Sequence, residues 1–371
     1  MREKLKWVII LSICGGVIIA LANIKSRAPV ENLDIELVTG IDIFILNEKD
    51  IEFRTIRETA VFLPNNRLVS KVTESKGYSS GATRESRQLK TSNEKIIGMV
   101  KVDLLSERYA RYGIRTALDI HFNDTTVNDT AKFVVCKGDV KPVMEYKTPG
   151  YSSCGAFIDG LITSHNGVDF FSQEYSAKNM YARMDSEGRN IVMPYIELTE
   201  KGIELTGMAL FKKDKMVAVA DMRSARIMNM LLNNNVKGMM TLFNNENGYI
   251  DFDAKSSRKI KCNKVGDNYN FVIDLKLKGD IVSNTYYEKT INSVSEEKIF
   301  ERLMAEKVTK ECNDFIGKMK SQYKVDCLEL GRVAAATYGR RKGIDWNEVI
   351  MDSKIEFNVE VKLNKQGRGK Y

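Results

Sequence analysis

The strongest constraint on the fold is an uncharged segment near the N-terminus, residues 7–24, which reads WVIILSICGGVIIALANI. Eighteen residues of α-helix are about 27 Å long, close to the thickness of the hydrocarbon layer of a bilayer. Three of the first six residues are basic, which favours an orientation with the N-terminus inside and the rest of the chain outside. The sequence therefore predicts that residues 1–26 tether a soluble body to the outer side of a membrane.

Two alternatives to a spanning helix stay open for this segment. A cleaved signal peptide normally has a shorter apolar core and an A-x-A site after it, and no clear site of that kind follows here. The run from Leu11 to Cys14 partly resembles a lipobox, in which a small residue precedes a lipid-modified cysteine, but Ile13 is bulky at that place. Lipidation of Cys14 would leave an apolar stretch behind it, yet it would also give a tethered body.

The rest of the chain has the composition of a folded body with more than one domain. The full sequence has 371 residues, of which 43% are hydrophobic and 29% are charged, and it contains only 5 prolines. This length predicts two or three domains. The net charge of +8 is spread among interspersed acids and bases without a basic tract between aromatic residues, so we expect no nucleic-acid binding.

Six cysteines lie far apart, and none forms a C-x-x-C pair. This spacing does not indicate a disulfide framework. Cys136, Cys312 and Cys327 occur in apolar patterns, so we expect them to be small buried residues.

The N-terminal part of the body alternates between strand-like and helix-like segments. Runs of branched and aromatic residues predict strands at 32–47, bent near Gly40, and at 51–63, 95–105 and 131–137. Helices are predicted at 106–112, capped by Gly113, and at 114–122, 151–164 and 172–184, and the polar segment 75–86 is expected to be a loop that leads into a helix.

The C-terminal part changes to long alternating strands and one long helix. Residues 191–221 predict successive strands, 224–232 a helix, and 255–278 two strands around a Gly-Asp-Asn turn. Apolar residues recur every three or four positions over 294–323, and Ser293 with Glu296 forms a capping-box pattern. Residues 354–364 alternate strictly, which predicts a half-buried strand.

Together these patterns predict an α+β fold of two or three domains. Mixed or antiparallel sheets are packed by helices, and a long helix lies across an antiparallel C-terminal sheet. The expected domains are 27–200, with a further split near 140, and 201–371.

The motifs of common enzymes do not occur in the chain. It contains no G-x-S-x-G elbow, no P-loop, no H-E-x-x-H and no EF-hand loop. With two histidines far apart, a histidine zinc site is not expected. His121 beside Asp119 or Asp124 is the one acid–base pair considered, and a capping or surface role is preferred for it. Asp103, Glu107, Glu197, Glu200 and Glu204 are interpreted as solvated charges. The sequence therefore predicts no catalytic residue, no metal and no cofactor.

Several segments follow the motifs of one known family. These are ENLDI before LVTGID at 31–42, SERYARYGI with Leu118 and Asp119 at 106–119, and LTGMALFK before DKMV at 205–217. Near the end, Gln322, Asp326, Gly331 and Trp346 follow the pattern of the family's last motif. By the order and spacing of these segments, the chain resembles the Ger(x)C family, the C subunit of spore nutrient germinant receptors, from about residue 31 to 367.

The chain departs from the family pattern at a few places. Lys25-Ser26-Arg27 lies where the family usually has its lipobox cysteine, and Ala218 lies where a glycine is common. The positions that match are interpreted as structural: Glu107, Gly113, Asp119, Gly207, Phe211, Gln322, Asp326, Gly331 and Trp346.

The resemblance implies a non-enzymatic receptor subunit on the outer face of the spore inner membrane. It would assemble there with two membrane subunits, called A and B, and with the lipid bilayer, in a complex that responds to nutrients. Two other hypotheses are an outward-facing sensor lipoprotein, with a small molecule in an interdomain cleft, and a surface hydrolase that uses unrecognised carboxylates.

Overall fold

The structure is a computed structural model that contains two β-sheets and the helices packed on them. It describes residues 6–7, 12–16, 29, 33–47, 50–63, 67–91, 93–172, 174–243, 248–285, 294–340 and 343–366. Within these residues the first sheet has nine strands and the second has four. Parallel and antiparallel pairs both occur, so the predicted α+β class with mixed sheets is confirmed.

The N-terminal sheet has the strand order β3-β2-β1-β5-β6-β7-β8-β9, with β4 beside β1. Its strands are β1 Leu33–Ile45, β2 Ile51–Leu63, β3 Arg67–Gly77, β4 Glu94–Ile96, β5 Val102–Ser106, β6 Lys132–Cys136, β7 Val192–Thr199, β8 Gly202–Lys212 and β9 Lys215–Asp221. The central strands β1, β5, β6 and β7 are parallel, and antiparallel strands extend the sheet at both edges. The short, apolar strands β5 and β6 are buried over almost their whole length, as central parallel strands usually are.

Helices cover both faces of this sheet. They are α1 Ser80–Gln88, α2 Glu107–Tyr112, α3 Arg115–Asn123, α4 Val140–Glu145, α5 Cys154–Ser164 and α6 Ala177–Met184. On one face, Thr83 of α1 bonds Thr55 of β2, and His121 of α3 meets Asp103 of β5. On the opposite face, α4 and α5 pack on β1 beside Gly40 and Val38.

A glycine is needed at position 40 because of close packing, and it does not mark a bend in β1. A Cβ at this position would clash with Val140 and would lie 2.7 Å from Sδ of Met144. The irregularity of β1 is instead a register shift between Glu36 and Val38. The glycine therefore lets α4 approach the sheet closely.

Two predictions for this region were wrong in detail. The loop expected at 75–86 is much shorter: β3 continues to Gly77, and the helix α1 begins at Ser80, where the Ser79 side chain accepts a hydrogen bond from Ala82 N (3.1 Å). The predicted strand at 95–105 is two strands, β4 and β5, separated by a turn at 98–99. Short-range capping by a serine outweighed the Gly/Ser-rich composition in the first case.

The C-terminal sheet has the order β10-β11-β12-β13. Its elements are α7 Met222–Leu232, β10 Lys237–Phe243, β11 Tyr249–Val265, β12 Asn268–Asn284, α8 Val294–Lys318, a π turn Met319–Tyr323, α9 Leu330–Tyr338, α10 Trp346–Asp352 and β13 Lys354–Gln366. The long helix α8 packs on the sheet with its apolar stripe, including Phe300, Met304 and Cys312, as predicted. The capping-box residue Ser293 lies outside the described residues.

The direction of the last strand corrects the prediction of an antiparallel C-terminal sheet. β13 pairs with β12 in parallel, from Asn270 with Lys354 onwards. A parallel pair needs a crossover, and the chain between β12 and β13, which includes α8, α9 and α10, supplies it. Strand alternation reveals the buried face of β13 but not the direction of its neighbour.

The strands on either side of residue 200 belong to one sheet. Thr199 of β7 pairs with Gly202 of β8, so the N-terminal sheet continues to Asp221. The division into domains near residue 200 stays a prediction.

Only part of the predicted membrane segment is described, and those residues are helical at 6–7 and 12–16. Among the described residues, no helix is both long and apolar enough to cross a bilayer. Residues 8–11 and 17–28, and with them most of the predicted span, lie outside the described part of the chain.

Candidate functional site: the junction of the two sheets

A buried polar network joins the two sheets where the segment after α6 meets the turn before α9. Asp326 lies at its centre and is 1% exposed. Its carboxylate accepts hydrogen bonds from the backbone N–H groups of Leu328 (3.1 Å) and Gly331 (2.7 Å). Burial raises the pKa of Asp326 to about 6, although these hydrogen bonds act in the opposite direction. Asp326 therefore fixes the turn that starts α9.

Two asparagines tie this turn to the N-terminal sheet. Asn190, just before β7, donates from Nδ2 to the carbonyl oxygen of Asp326 (3.0 Å) and to Oδ1 of Asn347 (2.7 Å). Asn347 in turn accepts from the backbone N–H of Asp326 (2.9 Å). Because the Asp326 backbone bonds to both amides, a change at either asparagine should disturb the same turn.

A second buried carboxylate gathers arginines from both sides of the junction. Glu329, with 5% of its side chain exposed, accepts from Nε of Arg189 (2.9 Å) and pairs with Arg332 (3.1 Å) and Arg183 (3.6 Å). Its backbone has a φ of 57°, an uncommon conformation for a residue with a side chain. Three arginines, from both sides of the junction, therefore share the buried carboxylate of Glu329.

Arg258 of β11 completes the network from the C-terminal sheet. It donates from Nη1 to the carbonyl oxygen of Leu328 (3.3 Å). Burial lowers the pKa of Arg258 to about 10, although Glu329 and Asp326 act in the opposite direction. At neutral pH the guanidinium is still charged, so the junction contains cations and anions together.

Two glycines allow the two backbones to touch at this junction. Gly188 has a φ of 70°, and a Cβ there would overlap the backbone of Gly331. A Cβ on Gly331 would lie 2.6 Å from Cβ of Trp346. Arg332 N donates to the carbonyl oxygen of Gly188 (3.0 Å), and Trp346 Nε1 donates to Glu187 (3.0 Å). The glycines are therefore required by direct packing of one half on the other.

Three of the four residues of the last motif meet in this network. Asp326, Gly331 and Trp346 are buried together, whereas Gln322 is exposed in the π turn. The charged partners from the N-terminal side were not predicted, since they precede Asp326 by more than 130 residues. The only signal in the sequence was the cluster of polar residues and glycine at 183–190.

The earlier motif residues form a second group around α2. The Glu107 carboxylate accepts from the Tyr195 hydroxyl (2.6 Å) and from Nε of Arg111 (2.9 Å). Burial alone would raise the pKa of Glu107, but these hydrogen bonds hold it below its usual value. Glu107 is thus half-buried and bonded, and its interpretation as a solvated charge was wrong.

Glycines again mark close contacts in this second group. Gly113 ends α2 with a φ of 141°, and a Cβ there would lie 2.8 Å from Oδ2 of Asp214. Gly207 faces the carbonyl oxygen of Ala220 on β9 with no room for a side chain. Phe211 is fully buried in β8, and Asp119 is half-buried on α3. These positions lie in well-packed structure, and their assignment as structural motif positions stays a prediction.

The histidine considered for acid–base chemistry has a different partner. His121 Nε2 lies 3.1 Å from Oδ2 of Asp103, not beside Asp119 or Asp124. Asp103 is 2% exposed, so its interpretation as a solvated charge was also wrong. Burial alone would lower the pKa of His121, but Asp103 raises it above its usual value overall. The buried strand VDLLS around Asp103 was a signal that this carboxylate faces the interior.

The thiols have the character of core residues. Cys136, Cys312 and Cys327 are buried, as predicted, and so are Cys154 and Cys262. Burial raises the pKa of the Cys136 and Cys327 thiols, which makes them poor nucleophiles at neutral pH. Cys14, the candidate for lipidation, is exposed. In the part of the chain that the structure describes, no cluster of three or more His, Cys, Asp or Glu residues could hold a metal ion.

Comparisons with known families agree with this arrangement of two halves. The model for "Spore germination protein N-terminal domain" matches residues 26–198, and the model for "Spore germination B3/GerAC like, C-terminal" matches residues 206–367. The chain belongs to the Ger(x)C family.

Two relatives show how far the likeness to other Ger(x)C proteins extends. Spore germination protein GerQC of Bacillus cereus is 20% identical over 308 residues, which cover 79% of this chain and 83% of the relative. The crystal structure of GerBC superposes with a TM-score of 0.55 at 16% identity, over 88% of this chain and 97% of GerBC. The second likeness shows a shared fold. The Ger(x)C chain is thus a germinant receptor C subunit that takes part in spore germination, and its family is not a known enzyme family.

Proposed function

We propose that this Ger(x)C chain is tethered at the outer face of the spore inner membrane and acts there as a non-catalytic docking scaffold. Its partners in the receptor complex are the membrane subunits A and B. In this role it positions surfaces for the other subunits during nutrient-triggered germination, and its own buried charges hold the fold together.

The observation that carries this proposal is the junction network. Asp326 and Glu329, the two carboxylates with the most polar contacts there, bond to backbone N–H groups and to arginines from both sides. A catalytic carboxylate needs access to a substrate, but these two side chains are almost fully buried. The network therefore favours a structural role, in which these residues hold the two sheets in a fixed position relative to each other.

The tether is supported by the first residues of the chain. Residues 7–24 carry no charge, and the large apolar residues described among them are exposed. Trp7 is 66% exposed and Ile13 is 61% exposed, and a Cβ at Gly15 or Gly16 would meet no atom within 4 Å outside its own helix. Exposed apolar side chains of this kind favour lipid over water.

Nutrient-triggered germination of spores tests the proposal. A strain without this gene and without related receptors should fail to respond to nutrients, and the wild-type gene should restore the response. A gene lacking residues 7–24 should restore it poorly, whereas Lys276→Gln, a change on an exposed strand face, should restore it fully. An unchanged response in the strain that lacks all these genes would contradict the proposal.

A small-molecule sensor is the second candidate, and one observation favours it. An open groove of about 600 Å³ crosses the outer face of the C-terminal sheet and is lined by polar residues such as Lys259, Asp274, Lys276, Asn358 and Glu360. The groove lies on one sheet and not between domains. Calorimetry of the purified chain with amino acids and sugars would detect such a ligand, and heat of binding that is lost in Asp274→Ala would favour this candidate.

A further inference from the structure

One end of the N-terminal sheet exposes apolar side chains close to the place where the chain enters the body. Phe62 and Leu63 end β2, and Leu68 pairs with Phe62 from β3. Their exposures are 37%, 39% and 45%. Because Ile35 pairs with Ala60 in the antiparallel β1–β2 pair, these residues lie level with the first residues of β1.

Two more exposed apolar residues lie at the same end of the sheet. Leu89, 83% exposed, follows the last residue of α1 and lies two residues before Thr91, which bonds Asp34 near the start of β1 (2.7 Å). Met99, 56% exposed, lies in the turn before Lys101, whose N–H bonds the carbonyl oxygen of Leu37 (3.1 Å). We call this end of the sheet, with the exposed residues Phe62, Leu63, Leu68, Leu89 and Met99, the entry corner.

Three exposed lysines follow residues of the entry corner along the chain. Lys71 follows Leu68 on β3 and pairs with Thr59, Lys90 follows Leu89, and Lys101 follows Met99 by two residues. Apolar side chains beside lysines are typical of surfaces that lie in the interface of an anionic bilayer. Exposure of several large apolar side chains to water in one region is unfavourable, and such regions usually mark a site of interaction.

The length of the tether places this corner within reach of the bilayer. Eight residues, 25–32, separate the uncharged segment from Leu33. A chain of that length spans at most about 28 Å. β1 has 13 residues, so its far end near Ile45 is about 40 Å from its start. The start of β1 is therefore held near the membrane, while the far end is free to point away from it.

We propose that the entry corner is a second membrane contact. Phe62, Leu63 and Leu68 enter the interfacial layer, and Lys71, Lys90 and Lys101 bind anionic phospholipid headgroups. The N-terminal sheet then stands with the start of β1 toward the bilayer, and its far end faces the other subunits. The inference rests on the proposed tether, which fixes which end of β1 is near the lipid.

Quenching of tryptophan by brominated lipids tests the contact in the full-length chain. The chain is reconstituted into vesicles of phosphatidylglycerol and phosphatidylcholine, and Trp7→Phe removes the tryptophan of the uncharged segment. Phe62→Trp is compared with Leu46→Trp, a matched change at an exposed apolar residue in the turn after β1. Trp346, which is buried, contributes the same background to both.

The expected result is a clear difference between the two ends of the strands. Emission from Phe62→Trp should fall by roughly half with bromines placed just below the headgroups, since interfacial side chains lie 5–10 Å deep. Emission from Leu46→Trp should not change. Replacing Lys71, Lys90 and Lys101 by Gln should weaken binding of phosphatidylglycerol at the corner by up to about fivefold for each lysine.

Other outcomes separate failure of the contact from failure of the tether. Quenching of Trp7 in the unmodified chain without quenching of Phe62→Trp would overturn the contact and leave the tether standing. Equal quenching at positions 62 and 46 would overturn the upright orientation. In a third outcome, the tryptophan of Phe62→Trp loses its quenching by both brominated lipid and aqueous iodide only after the A and B subunits are added. That result would show that a protein partner, and not the bilayer, covers the corner. No quenching of Trp7 would contradict the proposed function itself.

Discussion

The two sheets of this protein place their charges in opposite ways. The N-terminal sheet is covered by helices on both faces and buries carboxylates such as Glu36, Glu58 and Asp103. The C-terminal sheet packs α8 on one face, and its other face carries Lys259, Asp274 and similar residues in contact with water. Buried charges need specific partners, whereas solvated ones do not. The difference predicts that single changes matter much more in the first sheet and at the junction than on the outer face of the second.

The largest effect is expected at the contact of the two backbones. Gly188→Ala should lower the free energy of unfolding by about 3 kcal/mol or more, because the methyl group would overlap Gly331. Gly138 has almost the same φ, 71°, with no atom near its Cβ, so Gly138→Ala should cost only about 1 kcal/mol. Urea denaturation of both variants measures the difference. Equal costs would show that the two halves do not press together at Gly188.

Asp326 should make stability depend on pH in the acidic range. Its folded pKa, about 6, lies above the usual value of 3.8, so the folded chain holds the proton more tightly than the unfolded chain. The stability due to protonation is therefore complete below about pH 4 and is lost as the pH rises through 6. A shift of about two units corresponds to about 2–3 kcal/mol.

Asp326→Asn isolates this dependence. The difference in unfolding free energy between the wild type and the variant should change by about 2–3 kcal/mol between pH 4 and pH 7, in favour of the wild type at the lower pH. Urea midpoints at several pH values supply the measurement. A constant difference across this range would mean that Asp326 does not titrate there.

A smaller effect is expected where β2 meets α5. The Glu58 carboxylate accepts from the backbone N–H groups of Cys154 (3.1 Å) and Gly155 (3.4 Å) at the start of that helix. Glu58→Ala would leave two buried donors without an acceptor, so we expect a loss of about 2 kcal/mol. Glu356→Ala, at an exposed glutamate of β13, is the matched control and should leave the melting temperature unchanged. A similar drop for both variants would remove the contrast between the two sheets.

The smallest effect is expected on the outer face of the C-terminal sheet. Lys276 pairs with Glu360 across two strands, and both side chains are largely in water. Lys276→Gln should therefore give a urea midpoint within error of the wild type. A strong loss of germination with unchanged stability would instead mark this face as a binding surface and would favour the small-molecule candidate.

The sequence predicted elements with a clear period and missed contacts between distant segments. The apolar stripe of α8 and the alternation of β13 were sufficient to predict both elements, since each depends on neighbours within a few residues. The parallel pairing of β13, however, depends on a partner strand more than 80 residues earlier. Periodicity contains no information about that direction.

The candidate site shows the same limit. The motif gave Asp326, Gly331 and Trp346, but it could not give Arg183, Arg189 or Arg258, which reach Glu329 and the turn from other segments of the chain. Asp103 could have been recognised, because four apolar or small residues surround it in a fully buried strand. In a single sequence, the charged residues of a buried network cannot be distinguished from those of a solvent-exposed surface.

Purification from dormant spores tests the central claim most directly. The tagged full-length chain should be found in the inner-membrane fraction, and after mild detergent it should bring down two further proteins, a multi-span membrane protein and a partner with a large soluble domain. Gly188→Ala should reduce their recovery, whereas Lys276→Gln should not. Full-length chain in the soluble fraction, without either partner, would contradict the account.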